Sequence, residues 1–145
     1  MRKIKFKGKH EVTGDWYYGY LDENDGGTLI RDGGDFCYVD PATVGQYTGC
    51  HDATEWDDLT AEEQSAWTDS GNAITDWKGR EICEGNIVKW IDSDKAVRID
   101  VVVYGFGKFF ICNSQFSVYE YLGKELVIIG NVHDNPELLT QAKDK

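Results

Sequence analysis

Glu84-Gly85-Asn86-Ile87-Val88-Lys89-Trp90-Ile91, then Ala96-Val97-Arg98-Ile99-Asp100-Val101-Val102-Val103-Tyr104, then Lys108-Phe109-Phe110-Ile111-Cys112 is the stretch that decides the fold. Its β-branched and aromatic runs are broken by glycine and polar residues, the mark of short strands joined by turns. Val97, Ile99, Val101 and Val103 alternate with Arg98, Asp100 and Val102, which predicts one apolar and one largely wet face. Tyr104-Gly105-Phe106-Gly107-Lys108 reads as the hairpin turn into the last of the three. Gly85 permits a sharp entry into a strand and Asn86 ties the turn, as many SH3-like barrels begin.

Outward from this block, further strands are expected at Lys3–Lys7, Asp15–Leu21, Thr28–Arg31, Phe36–Val39, Thr43–Tyr47 and Glu125–Val132. The expected fold is therefore mainly β: a small antiparallel, partly open barrel, SH3-like in its second half. One helix stands out. Thr60-Ala61-Glu62-Glu63 has the capping-box form, and Ser70-Gly71-Asn72 follows as a stop. A second helical turn is expected at Asn135-Pro136-Glu137-Leu138-Leu139, provided that Leu138 or Leu139 packs on the body.

The chain has 145 residues, 41% of them hydrophobic and 13% aromatic, so it can bury a real core and is expected to fold as a single domain, 1–145. Its 15 basic and 26 acidic side chains give a net charge of −11, which opposes nucleic acid and anionic membrane. Arg2, Lys3, Lys5, Lys7 and Lys9 make the first ten residues basic, and the acidity is concentrated in the rest of the first half. The lysines are expected on the solvated side of a strand whose Ile4 and Phe6 point inward; the competing reading is a weak phosphate-binding arm. Cys37, Cys50, Cys83 and Cys112 include no C-x-x-C pair, so no metal site or cofactor is expected; Cys37, Cys83 and Cys112 lie in apolar runs and are expected as buried hydrophobes. With neither a signal-peptide core nor an apolar stretch near eighteen residues, the protein is expected to be cytoplasmic, with reduced thiols and no membrane contact.

Catalytic signatures fail on spacing. Asp22-Glu23-Asn24-Asp25-Gly26 approaches a calcium loop, but the glycine comes one position early and Gly33 stands where the bidentate Glu belongs. Cys50-His51-Asp52 places thiol, imidazole and carboxylate on successive residues, which point to opposite faces of a strand. No catalytic residue is assigned.

Several blocks, in order along the chain, resemble the YopX family of phage and prophage proteins. They are Gln46-Tyr47-Thr48-Gly49, Gly79-Arg80-Glu81-Ile82-Cys83-Glu84-Gly85-Asn86-Ile87-Val88, and Ile129-Gly130-Asn131-Val132 followed by Asn135-Pro136-Glu137-Leu138-Leu139. Ile4-Lys5-Phe6-Lys7-Gly8-Lys9 and Trp16-Tyr17-Tyr18-Gly19-Tyr20 are similar to that family's opening strands. Most of the family has Asp at the position of Asn86 and an aromatic at that of Cys83. Turn and packing roles are expected for Gln46, Tyr47, Thr48, Gly49, Gly79, Glu81, Gly85, Asn86, Gly130 and Asn131.

Relative to the family, residues 53–76 read as a helical insertion, which a surface loop tolerates at a closure cost of about 1–2 kcal/mol. The insertion carries Trp56, Leu59 and Trp67, with Trp77 at its exit. Trp56, Leu59 and Trp67 are expected to share a side, either folded onto the body or exposed as a protein-binding surface. The resemblance implies no established activity. The function expected is that of a non-enzymatic phage or prophage accessory protein that binds a host or phage protein or self-associates as a homo-oligomer. The alternative is a nucleic-acid-related role, by weak binding through the basic N-terminal strand or by acidic mimicry of DNA.

Overall fold

The computed structural model describes residues 5–91, 94–105, 108–112 and 126–143. Among the described residues, ten strands form two sheets in which every ladder is antiparallel. The first contains β1 (Phe6–Lys9), β2 (Trp16–Asn24), β3 (Gly27–Asp32), β4 (Asp35–Tyr38), β5 (Gly45–His51) and β6 (Glu81–Cys83), in the order β4-β3-β2-β1-β5-β6. The second contains β7 (Asn86–Ile91), β8 (Val97–Gly105), β9 (Lys108–Ile111) and β10 (Val127–Asn131), in the order β10-β7-β8-β9. The protein is thus mainly β and antiparallel, as its turn spacing predicts, and the strands lie in two sheets that do not close into a barrel. The start of the expected Lys3–Lys7 strand, Glu125 and the 106–107 turn lie outside the described residues. The ladder still pairs Gly105 with Lys108, as the hairpin requires.

Strand β2 changes partner midway: Trp16–Gly19 pair with β1, and Tyr20–Asn24 pair with β3. Gly19 sits at the change, where a Cβ would lie 2.1 Å from the Arg31 carbonyl oxygen, closer than any side chain can approach. Past β4, a single bridge from Val39 back to His10 curls the first sheet on itself. The fifth strand starts later than expected because Pro41–Thr43 form a 3-10 turn, with Ala42 N donating to the Asp40 side chain at 3.0 Å.

The main core lies under the second sheet, where Val88, Trp90, Val102, Phe109 and Ile111 meet Cys50, Ile82 and Leu126. Here the alternation read for β8 is overturned: Val102, assigned to the wet side, is fully buried, and Val97, assigned to the apolar side, is exposed. Cross-strand register explains it, since Val88 and Trp90 sit opposite Asp100 and Arg98 and share a face with Val102. The opposite face is not bare, because α2 (Glu137–Lys143) packs against β8 with Leu138 and Leu139 half-buried. A strand covered in part on both sides loses its clean period of two.

Helix α1 (Ala61–Asp69) begins at the predicted capping box: Glu63 N donates to Thr60 Oγ1 at 3.1 Å, and Thr60 N to Glu63 Oε1 at 3.2 Å. No described helix is long and apolar enough to cross a membrane.

Candidate functional site

The lysines of the first strand do not form a solvated face. Lys7 is buried, and Lys5 and Lys9 are largely covered. Strand β1 is flanked by β2 and β5 and its lysine side meets the turn after β10, so each long aliphatic stem is packed and each ammonium finds a local partner. Lys5 Nζ donates to both Glu81 oxygens at 2.5 and 2.6 Å and lies 5.2 Å from the Tyr47 ring centre. Lys9 Nζ donates to Asp134 Oδ1, and Trp16 Nε1 donates to Asp134 Oδ2 at 2.9 Å. Lys7 Nζ stands 4.5 Å over the Trp16 ring. These bonds, from Lys9 first and then Asn131 and Trp16, hold the Asp134 carboxyl well below the usual carboxylate range, while burial lowers the Lys7 ammonium. The described lysines are thereby consumed, Lys5 and Lys7 within the first sheet and Lys9 in joining it to the turn after β10; Arg2 and Lys3 lie outside the described residues.

The recurring family blocks are placed around this junction. In β5, Thr48 Oγ1 donates to Ile82 O at 2.8 Å, the Gln46 carbonyl accepts from Glu84 N at 2.9 Å, Tyr47 is buried, and Gly49 sits at φ +89° within a register shift against β6. Asn86 is buried and accepts from Cys83 N at 2.7 Å, closing the turn in which Gly85 has φ +93°. Asn131 Oδ1 accepts from His133 N and Asp134 N and so aims Asp134 at Lys9. A Cβ on Gly130 would lie 2.5 Å from Asn135 Oδ1.

Cys50-His51-Asp52 does not assemble a relay. Asp52 is buried and accepts four hydrogen bonds: Thr54 N and Arg80 N on one oxygen, Thr54 Oγ1 and Ile128 N on the other, at 2.8–3.0 Å. It therefore ties β5, the Gly79-Arg80 approach to β6, and β10 to one carboxylate. Gly79, at φ +111°, comes so close that a Cβ would lie 2.0 Å from Asp52 O. Cys50 is buried in the core, and His51 Nδ1 is 3.5 Å from Tyr47 Oη. Cys83 is buried as read, with its thiol pushed up to about 11 by burial, whereas Cys37 and Cys112 are only half-buried; no disulfide forms. Among the described residues, no group of three or more His, Cys, Asp or Glu side chains could hold a metal ion.

The insertion's tryptophans come together, though not along the helix. Trp56 lies on a 3-10 turn (Trp56–Asp58) and Leu59 follows it, both before α1, because the cap at Thr60 sets the helix start. Trp77 stacks edge-on against both Trp56 and Trp67, at 6.1 and 5.2 Å between ring centres. All three are half-buried, and Leu59 is buried. Trp77 Nε1 donates to Thr54 O at 2.9 Å and clasps the segment's two ends, while Ala53 N donates to Leu126 O at 2.8 Å and Arg80 forks onto both Glu63 oxygens at 2.8 and 2.9 Å, so the segment is tethered to the body at its start and through α1.

A different surface is more open. Strands β2 and β4 expose Tyr17, Tyr18, Tyr20, Leu21 and Phe36, with Tyr20 at 67% and Phe36 at 55%. Two adjoining grooves share Tyr17, Phe36 and Cys37 as lining. Sequence reasoning passed over this surface, yet its signal is present: Trp16-Tyr17-Tyr18-Gly19-Tyr20 puts aromatics on both sides of one strand, more than the core beneath the second sheet takes in.

The YopX protein family model matches residues 63–140, beginning inside the 53–76 segment. A crystal structure of protein EF1440 from Enterococcus faecalis is similar over 96% of this chain and 99% of that one, with a TM-score of 0.53 and 18% identity. That likeness concerns the fold. No curated protein matches the sequence.

Proposed function

The chain belongs to the YopX family, and on that premise we propose that it is a non-enzymatic accessory protein of phage or prophage origin that acts by binding another protein. The observation that carries this reading is the co-exposure of Tyr17, Tyr18, Tyr20 and Phe36 on β2 and β4. Aromatic side chains dominate binding hot spots, and leaving several in water without a partner is costly. Three further points support it. The carboxylate of the only triad-like run is spent on four structural donors. Lys5 and Lys9 are ion-paired and Lys7 is buried, which leaves the described part of the basic strand little to offer a phosphate backbone. The Trp56, Trp67 and Trp77 rings use much of their area on one another, which makes the insertion a second and smaller candidate surface.

The test is affinity purification of the tagged full chain from its bacterial host, comparing wild type with a Tyr17→Ser/Phe36→Ser protein and a Trp67→Ser protein. The expected result is a stoichiometric partner lost only with the first. A partner set unchanged in both sinks the reading. A low-salt mobility-shift titration is expected to show no DNA complex at about tens of micromolar protein, a range reached by ordinary non-specific binders.

A further inference from the structure

The two grooves on β2 and β4 are lined by aromatic and acidic side chains. The first, about 330 Å³, is lined by Tyr17, Tyr18 and Phe36 together with Asp32 and Asp35; the second, about 390 Å³, shares Tyr17 and Phe36 and is lined also by Glu11. No lysine or arginine lines either. Among the described residues, none of Glu11, Asp32 and Asp35 has an ion-pair partner, whereas Asp22, Glu63, Glu81 and Asp134 all do.

From this geometry we propose that the groove takes an extended, cationic segment of a partner protein, its arginine or lysine side chains laid over Tyr17 and Phe36 and directed to Glu11 and to Asp32 and Asp35. The proposal rests on the protein-binding reading above and names the chemistry of the partner. Cations attract the negative face of an aromatic ring, and they do so more strongly where carboxylates add to the field. The protein already uses this pairing on the same surface: the Arg31 guanidinium lies 5.5 Å from the Phe36 ring centre while its Nε donates to Asp22 at 2.8 Å. In an extended peptide, alternate side chains point the same way at about 6.6–7 Å spacing, so neighbouring cations can share one groove. Phosphate backbones and anionic lipid are repelled by the same carboxylates. A second copy of this chain, at net −11, brings acid to acid.

The experiment is fluorescence anisotropy on the full chain at low salt, with fluorescein-labelled (Arg-Thr)4 as probe and (Glu-Thr)4 as control. Saturable binding of the arginine peptide alone is expected, weakened about tenfold by Asp32→Asn/Asp35→Asn and by Phe36→Ser, a loss of about 1.4 kcal/mol each. Removing the same charge from the insertion, Asp57→Asn/Glu62→Gln, is expected to leave the affinity within about twofold, since those groups lie elsewhere on the surface. Circular dichroism checks that each variant is folded. Equal weakening by both acidic double variants would mean that the peptide follows net charge alone and would overturn the proposal, as would full affinity in Phe36→Ser. If the arginine peptide fails to bind while Tyr17→Ser/Phe36→Ser still loses a partner from the host, the cationic occupant is wrong and protein binding stands.

Discussion

The Asp52 carboxylate accepts four hydrogen bonds, from three separate parts of the chain, while almost wholly buried. Removing it leaves Arg80 N and Ile128 N without acceptors, so Asp52→Ala is expected to cost about 3 kcal/mol or more in urea unfolding. Lys7 makes the opposite case. Its ammonium is desolvated and its pKa depressed, so between its folded and unfolded values the unfolded chain binds more protons and stability rises with pH. Wild type is accordingly expected to gain stability relative to Lys7→Met as pH is raised from neutrality toward 10, followed by urea midpoints across that range. Asp134 has a lowered pKa, so its contribution is complete above the usual aspartate range and is lost as pH falls through its folded value. In Asp134→Asn the acid limb of the pH–stability curve should flatten. These roles were hidden in the sequence because a lysine strand and an isolated aspartate look alike whether they face water or one another.

At the scale of elements, the capped helix was legible because its signal is local: four residues specify both hydrogen bonds of the cap. Helix α2 was legible in part, its Asn-Pro start being local but its stability depending on the β8 face it covers. Strand β6, three residues long, was not anticipated, since its existence depends on pairing with β5 and on the Asp52 bonds that align its approach. The ends of the insertion lie side by side, with Asp52 N donating to Arg80 O at 2.9 Å. Replacing residues 55–77 with a short Gly-Asn turn, which keeps Thr54 and Arg80, is therefore expected to preserve a cooperative thermal transition. Within the intact insertion Trp77 is the hub, and Trp77→Ala is expected to cost about 3 kcal/mol, whereas Trp56→Ala should cost less, each being read from the thermal or urea midpoint.

For the whole molecule, the −11 charge is unevenly spent. The described cations of the first strand are committed to Glu81, Asp134 and Trp16, while Glu11, Asp32 and Asp35 line the grooves without an ion-pair partner among the described residues. Salt then separates two kinds of association. Binding of a cationic partner weakens as salt rises, and self-association through the same face strengthens, because screening removes the repulsion between like surfaces. Light scattering and the peptide titration, each run at about 50 and 500 mM salt, on either side of the physiological screening length, are expected to respond in opposite directions.

Fold class, the capped helix, the turn glycines and the family blocks were determined by the sequence itself, because each is written in neighbouring residues whose backbone preferences act over a turn or a single strand. Which side of a strand meets the core was decided only by tertiary structure. Val102 went inward and Val97 outward because register against β7, not alternation along β8, selects the buried face. The lysines of β1 went under cover because Glu81 and Asp134, 76 and 125 positions away from their partners, came to meet them. The aromatics of β2 and β4 stayed exposed because the main core gathers under the second sheet and takes no residue from β2, β3 or β4.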